Sequence, residues 1–192
     1  FFFQAEDGIR ELQGDWSSDV CSSDLEVPSR ALVGELGGNA AGVRYLKADL
    51  RDAAALRGAI GEIAAAHGDA DILVNNAGWD ERHPTDQVTP EFFDQVVAIN
   101  LKHAFFAAQA VLPGMKAKGG GAIVNFSSIS WMSGSGGMAV YTASKSAMLG
   151  LTRSLARDYG PHNIRAHAVA PGWVRTERQS SEEHTSELQS PC

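Results

Sequence analysis

Ala122-Ile123-Val124-Asn125-Phe126-Ser127-Ser128 and, thirteen residues beyond Ser128, Tyr141-Thr142-Ala143-Ser144-Lys145 are the stretch on which the reading of this chain turns. The first run is strand-like, and Ser128 closes it at the C-terminal tip. The second opens a helix near Tyr141, because Leu149, Leu151 and Leu155 continue it with apolar periodicity. Positions i and i+4 share a helix face, so the Tyr141 hydroxyl and the Lys145 ammonium project into one pocket. A free phenol titrates at about 10, too high to exchange protons readily at neutral pH. A neighbouring ammonium favours the phenolate and makes the tyrosine a usable acid and base. A serine hydroxyl beside it can hold a substrate oxygen while a hydride moves at the attached carbon.

Working outward, strands alternate with helices. Asp71-Ile72-Leu73-Val74-Asn75-Asn76-Ala77-Gly78 is a short apolar strand at 71–75 ending in a turn. Before it, Asp52 N-caps an Ala-rich helix to about His67, with Leu56, Ile60 and Ile63 on one stripe. After it comes a polar loop, Trp79 to Val88, and then Thr89-Pro90-Glu91 opens a helical pattern running to Pro113. Gly119-Gly120-Gly121 breaks the chain before strand 122–127, and the Gly-rich 133–137 reads as a mobile loop. The Tyr141 helix runs to about Gly160 and the last strand is 164–170. Upstream, Pro28 to Leu36 is a short helical pattern, and Gly42 to Ala48 is strand-like, ending in Asp49-Leu50. This alternation argues for an α/β domain with a parallel sheet covered on both faces.

Ser128, Tyr141 and Lys145, taken with Asn75-Asn76-Ala77-Gly78, Asn100 and Pro171-Gly172-Trp173-Val174-Arg175-Thr176, resemble the short-chain dehydrogenase/reductase family in order and spacing. The likeness covers roughly Pro28 to Arg178. It implies a doubly wound parallel sheet (Rossmann-like) and NAD or NADP as cofactor. It also implies roles by position. Tyr141 is the acid/base, and Lys145 its pKa-lowering partner that also touches the nicotinamide ribose. Ser128, rather than Ser127, holds the substrate oxygen, and Asn100 serves a water proton relay. An Asn satisfying a helix kink is a compatible alternative for Asn100. Asp49 and Leu50 fall beside the adenine. Asn75, Asn76, Ala77 and Gly78 fall along the cofactor, with Asn75 also tying strands together. Pro171, Gly172, Val174 and Thr176 fall on the nicotinamide side. His167 stands where the family usually has Asn and is left unassigned. Helices 90–113 and 141–160 pack subunits together in the family, which implies a homo-oligomer.

The two ends read differently from the middle. The chain has 192 residues and a formal charge of −7. Residues 1–25 hold six acids and one Arg, and 179–192 hold three acids and no Lys or Arg, so 26–178 is close to neutral. That balance, with no basic stripe, argues against nucleic-acid binding. Both cysteines, Cys21 and Cys192, lie in the ends, so no disulfide framework is indicated and a cytoplasmic enzyme is expected. No run of 18 apolar residues points to a membrane span. No Cys and His cluster has metal spacing. Back-translated, residues 181–190 give DNA whose reverse complement, in a shifted frame, reads as Asp15 to Asp24. Such an inverted repeat resembles translated sequencing adapter, and Gln4 to Arg10 resembles the adjoining primer. The expected organisation is therefore 1–25 adapter-derived, 26–179 a partial dehydrogenase domain, and 180–192 an adapter-derived tail.

A dinucleotide fold needs a Gly-rich turn between strand and helix, so that backbone amides face the pyrophosphate. Gly34-Glu35-Leu36-Gly37-Gly38 has the wrong spacing and reads as a turn. The expectation is an internal fragment that lacks the family's first two strands, that Gly-rich turn and the last strand. Strands lie about 4.8 Å apart, so the strand ending at Ala48 would face a gap of roughly 14 Å. The 192-residue chain itself is then expected to fold poorly and not to hold a dinucleotide.

Asp80, Arg82 and His83, then Ser130-Trp131, Gly136-Gly137-Met138 and Trp173, resemble the branch that oxidises aldoses at C1. A sugar site wants polar groups for hydroxyls and an aromatic face for C–H surfaces. Trp131, His83 and Trp173 suit those tasks. A 3-oxoacyl-carrier-protein reductase shares the core motifs and stays open, as does an inactive, non-cofactor-binding fragment.

Overall fold

The strand tips after Asn75 and after Phe126 lie side by side, because the sheet is parallel throughout. The computed structural model describes Phe2–Phe3 and residues 46–172; Phe2–Phe3 with 47–172 form one compact unit. Strands β1 (Phe2–Phe3), β2 (Ile72–Asn75), β3 (Gly121–Phe126) and β4 (Ile164–Val169) pair in that order. The register sets Asn75 opposite Asn125 and Val124 opposite His167. Among the described residues this is the Rossmann-like α/β arrangement in incomplete form.

The helices begin where the caps require. Helix α1 (Ala53–His67) starts at Asp52, whose carboxylate accepts from the amides of Ala54 (2.7 Å) and Ala55 (3.3 Å). Thr89 accepts from the Phe92 amide at 3.2 Å and opens α2 (Pro90–Val97), with Pro90 in the first turn. A π-helical turn, Ala98–Lys102, then leads without a break into α3 (His103–Lys118). One-turn helix α4 is Ser130–Ser133, inside the segment leading to the expected Gly-rich loop, and α5 is Ala139–Tyr159.

Helix α3 passes Pro113, where the apolar pattern had suggested an end, and stops at Gly119 in the left-handed conformation (φ 83°). Proline in a helix interior costs about 3 kcal/mol. Val111, Leu112 and Met115 flank it and are all buried. At roughly 1.5–3 kcal/mol for each large apolar side chain, their burial outweighs that cost. By length and composition Pro90–Lys118 could cross a membrane, although no unbroken apolar run of that length exists in the sequence. Half of its most apolar window is buried inside the protein, so the apolar face serves the core.

The core joins Leu56 and Ile60 of α1, Leu73, Ile123 and Ile164 of the strands, Ala107, Ala108, Val111 and Met115 of α3, and Leu155 of α5. Strand side chains alternate between faces. The positions between those core residues stay partly or fully exposed: Ile72 at 51%, Val169 at 41%, with Arg165 and His167 exposed. Among the described residues, then, the helices cover one face of the sheet.

Phe2–Phe3 pairs with Val74 and Asn75 on the outer edge of β2. An open strand edge presents unpaired amides and carbonyls, and an extended segment satisfies them. Leu46, Lys47 and Ala48 form no strand pairing. The helical pattern 28–36, the glycines at 34–38, the rest of strand 42–48 and the boundaries at 25 and 179 lie outside the described residues.

Candidate active site

Lys145 is the pivot. It sits on the second turn of α5, 3% exposed. Its Nζ donates to the Phe126 carbonyl at 3.1 Å and reaches the Ala77 carbonyl at 3.5 Å, at the tips of β3 and β2. The same ammonium lies 5.7 Å from the centre of the Tyr141 ring, one helical turn back. Burial lowers its pKa from 10.5 to about 8, while the Asp80 carboxylate opposes the fall. It therefore remains mostly protonated at neutral pH.

Asn100 is fully buried in the π-helical turn. Its Nδ2 donates to the Val96 carbonyl (3.0 Å), in the last turn of α2, and to the Trp79 carbonyl (2.8 Å). Its Oδ1 accepts from the Trp79 amide at 3.0 Å. One amide thus ties the last turn of α2 to the backbone of Trp79. Gly78 lies between Asn100 and Lys145. A Cβ there would stand 3.1 Å from Lys145 Nζ and 3.4 Å from Asn100 Oδ1. Because the nearer atom ends a flexible side chain, Gly78→Ala is expected to fold, with stability within about 1 kcal/mol of the parent. It should displace the ammonium, and a 15N titration of Lys145 would show a moved midpoint. An unmoved midpoint would refute the close packing of this turn.

The serines divide their tasks. Ser127 Oγ is buried and donates to the Lys145 carbonyl at 2.6 Å, joining the end of β3 to α5. Ser128 is half-buried, and its Oγ accepts from the Ser130 amide at 3.2 Å. The Pro171 carbonyl accepts from the Ile129 amide at 3.1 Å, and Gly172 packs by the Ile129 side chain, which brings the segment after β4 to the Ser128 turn. Asn75 Nδ2 donates to Asn125 Oδ1 at 2.8 Å, tying β2 to β3. Asn76 follows it at the head of the Ala77-Gly78 turn. Asp49 is not in this cluster. It forms an exposed pair with Arg51, whose guanidinium and amide hold its carboxyl below the usual range. Leu50 packs on the core. Val174, Thr176 and Trp173 lie outside the described residues.

Of the sugar-binding candidates, His83 has its ring 4.0 Å from that of Phe92 and its Nε2 at 2.8 Å from Glu81. Its backbone amide donates to the Gly137 carbonyl at 2.8 Å, pinning the loop after β2 to the loop before α5. Ser130 Oγ and Trp131 Nε1, next to Ser128, are buried without hydrogen-bond partners. One buried group escaped the sequence reading. His103, 1% exposed, lies one helical turn beyond Asn100. Its spacing to Asn100 and Ala107 places it on the inward stripe, and that was the available signal.

The arrangement joins a buried ammonium, a phenol one turn away and two strand-tip carbonyls, with an Asn-held turn across from them. The chain belongs to the short-chain dehydrogenase family, whose description as short chain dehydrogenase matches residues 18–187. It is 46% identical over 161 residues to the D-xylose 1-dehydrogenase of Caulobacter vibrioides, covering 84% of this chain and 62% of that one. It is 45% identical over 135 residues to a Rhizobium meliloti protein named as a galactose dehydrogenase, covering 70% and 53%. Among solved structures, a chain from Sinorhizobium meliloti 1021 described as a short-chain alcohol dehydrogenase superposes with a TM-score of 0.75 at 37% identity, over 88% of this chain and 68% of that one. The chain thus spans about three-fifths or less of the length of these curated relatives.

Proposed function

We propose that this site performs reversible hydride transfer between an alcohol or lactol carbon and NAD or NADP, with an aldose oxidised at C1 as the substrate. The observation that supports it most is the Lys145 ammonium, buried at the strand tips and 5.7 Å from the Tyr141 ring. The residues of the nicotinamide half suit such a cofactor. Gly78 leaves no side chain between the turn and Lys145, and Pro171 and Gly172 border the Ser128 turn. Lys145, Tyr141, the 75–78 turn and Pro171-Gly172 would hold it, with Val174, Thr176, Asp49 and Leu50 assigned by resemblance. When bound, the nicotinamide accepts or returns the hydride. Ser128 positions the substrate oxygen, and Tyr141 takes the hydroxyl proton as the carbonyl forms or returns it in reduction. Lys145 stabilises charge on the phenol oxygen, and Asn100 holds the turn beside it and serves the proton relay. The 45–46% identical relatives named for xylose and galactose favour an aldose over an acyl-carrier substrate.

A second reading, that the 192-residue chain alone holds no dinucleotide, is favoured by the one-sided covering of its sheet among the described residues. A fluorescence titration with NADH and NADPH, together with a cooperative melt, separates the two. No saturable binding is expected from the 192-residue chain. A chain extended to its relatives' length should reduce NAD or NADP with D-xylose or D-galactose, and indifference to every aldose would end the sugar assignment. The same reading would set a second copy of the chain against α5 and the π-helical turn leading into α3, where Leu101, Phe105, Phe106 and Leu151 line an apolar hollow and Phe105 is 47% exposed.

A further inference from the structure

Ile123, Asn125 and Ser127 alternate onto the helix-covered face of β3, and all three are buried. An apolar side chain would suit the middle position, whereas an amide there must find partners. It finds them on both sides. Asn125 Oδ1 accepts from Asn75 Nδ2 of β2 at 2.8 Å, and Asn125 Nδ2 donates to Thr152 Oγ1 of α5 at 2.9 Å. Thr152 Oγ1 gives its one proton to the Met148 carbonyl at 2.7 Å, so towards the amide it acts as acceptor. Each group in this line from β2 through β3 to α5 is thereby held in one orientation.

Ser127 supplies a second attachment, since its Oγ donates to the Lys145 carbonyl at 2.6 Å. Lys145 and Thr152 are seven residues apart, two turns along one face of α5 and about 10.5 Å along its axis. The apolar members of that inward stripe, Val140, Met148 and Leu155, are buried, but apolar burial is non-directional. A slide of α5 by one turn, about 5.4 Å, would exchange one apolar contact for another. It would break both hydrogen bonds, whose donor–acceptor distances span only about 0.5 Å. Two attachments fix rotation as well as depth, where one would leave a pivot. Depth matters because Lys145 Nζ meets the Phe126 carbonyl at 3.1 Å and the Ala77 carbonyl at 3.5 Å.

We propose that the buried Asn125–Thr152 hydrogen bond is the register pin of α5, and that both are positioning residues which, through the helix, hold the Lys145 ammonium on the strand-tip carbonyls. A buried polar pair that fixes register is a known use of such groups. Lys145 bears on turnover only under the hydride-transfer reading, on which the catalytic part of this role rests. Its proton affinity is a property of the fold alone. The titratable groups facing Lys145 among the described residues are Tyr141 on its own helix, Asp80 from the loop after β2 and His103 of α3, and the test alters none of them.

The test compares Thr152→Val, which keeps the shape and removes the hydroxyl, with Thr152→Ser, which keeps the hydroxyl. In the full 192-residue chain, a 15N titration should show proton affinity at Lys145 raised about threefold in the Val variant, as the ammonium leaves its buried seat. The midpoint should be kept in the Ser variant. The Asn125 side-chain amide should exchange slowly with solvent in the parent and the Ser variant, and faster in the Val variant. In the form extended to its relatives' length, Thr152→Val should lower kcat about tenfold with KM for the aldose kept, and Thr152→Ser should restore it. An unmoved midpoint in the Val variant, or a Ser variant shifted as far, overturns the proposal. If Thr152→Val does not fold, Thr152→Ala is titrated in its place, and free exchange of the Asn125 amide in the parent overturns the pin by itself. A midpoint shift with no aldose-dependent turnover in the extended parent would leave the pin standing and remove the dehydrogenase reading.

Discussion

Tyr141→Phe is expected to lower aldose-dependent reduction of NAD or NADP by roughly 10³-fold or more in kcat/KM, measured in the form extended to its relatives' length. General acid–base catalysis by a positioned side chain contributes about 10²–10⁴-fold. The loss should fall on kcat, because the removed hydroxyl acts on a proton that moves only in the transition state. The ring is retained on a half-buried position of α5, one turn from Lys145, so stability should change by under about 0.5–1 kcal/mol. Turnover of the Phe variant within tenfold of the parent would remove Tyr141 from the chemistry.

The second large effect concerns acid. In the unfolded chain His103 takes up a proton near the ordinary histidine value of 6.5, whereas in the folded protein burial holds that back to about 3. Between those values the unfolded state holds more protons, so folding stability falls as pH drops from 6.5 towards 3 and is flat below. The full difference approaches about 5 kcal/mol, of which roughly 2 is already lost at pH 5. Against a typical total of about 5–15 kcal/mol, this one imidazole weakens the fold measurably in mild acid. His103→Gln, which does not titrate, should flatten that limb in denaturant titrations between pH 6.5 and 4. Parallel acid limbs in parent and variant would show that His103 does not govern it.

The elements fixed by local chemistry were legible in the sequence. Asp52 and Thr89-Pro90 begin helices because their side chains take the first free amides, and Gly119 ends one because it reaches the left-handed region. Tyr141 and Lys145 were legible as a pair because α-helical spacing alone puts them on one face. What stayed hidden depends on contacts distant in the chain. Pro113 reads as a stop until the burial of Val111 and Met115 is known. The Ser130–Ser133 turn, Ser-Trp-Met-Ser, is too short to carry a periodicity. His103 passed as one more residue on an apolar stripe, since sequence spacing does not reveal whether a buried nitrogen finds a partner.

The π-helical turn at Ala98–Lys102 also acts as a phase adjuster. A π turn bonds i to i+5 and so holds one residue more than an α-helical turn while keeping the helix after it in phase with the helix before it. Deleting one residue there lets the turn close with ordinary α-helical bonds and leaves Ala104, Ala107, Val111 and Met115 facing the strands. The same deletion inside His103–Lys118 would rotate everything after it by about 100°. A one-residue gap in this pentad should therefore be tolerated far better than one in the helix that follows.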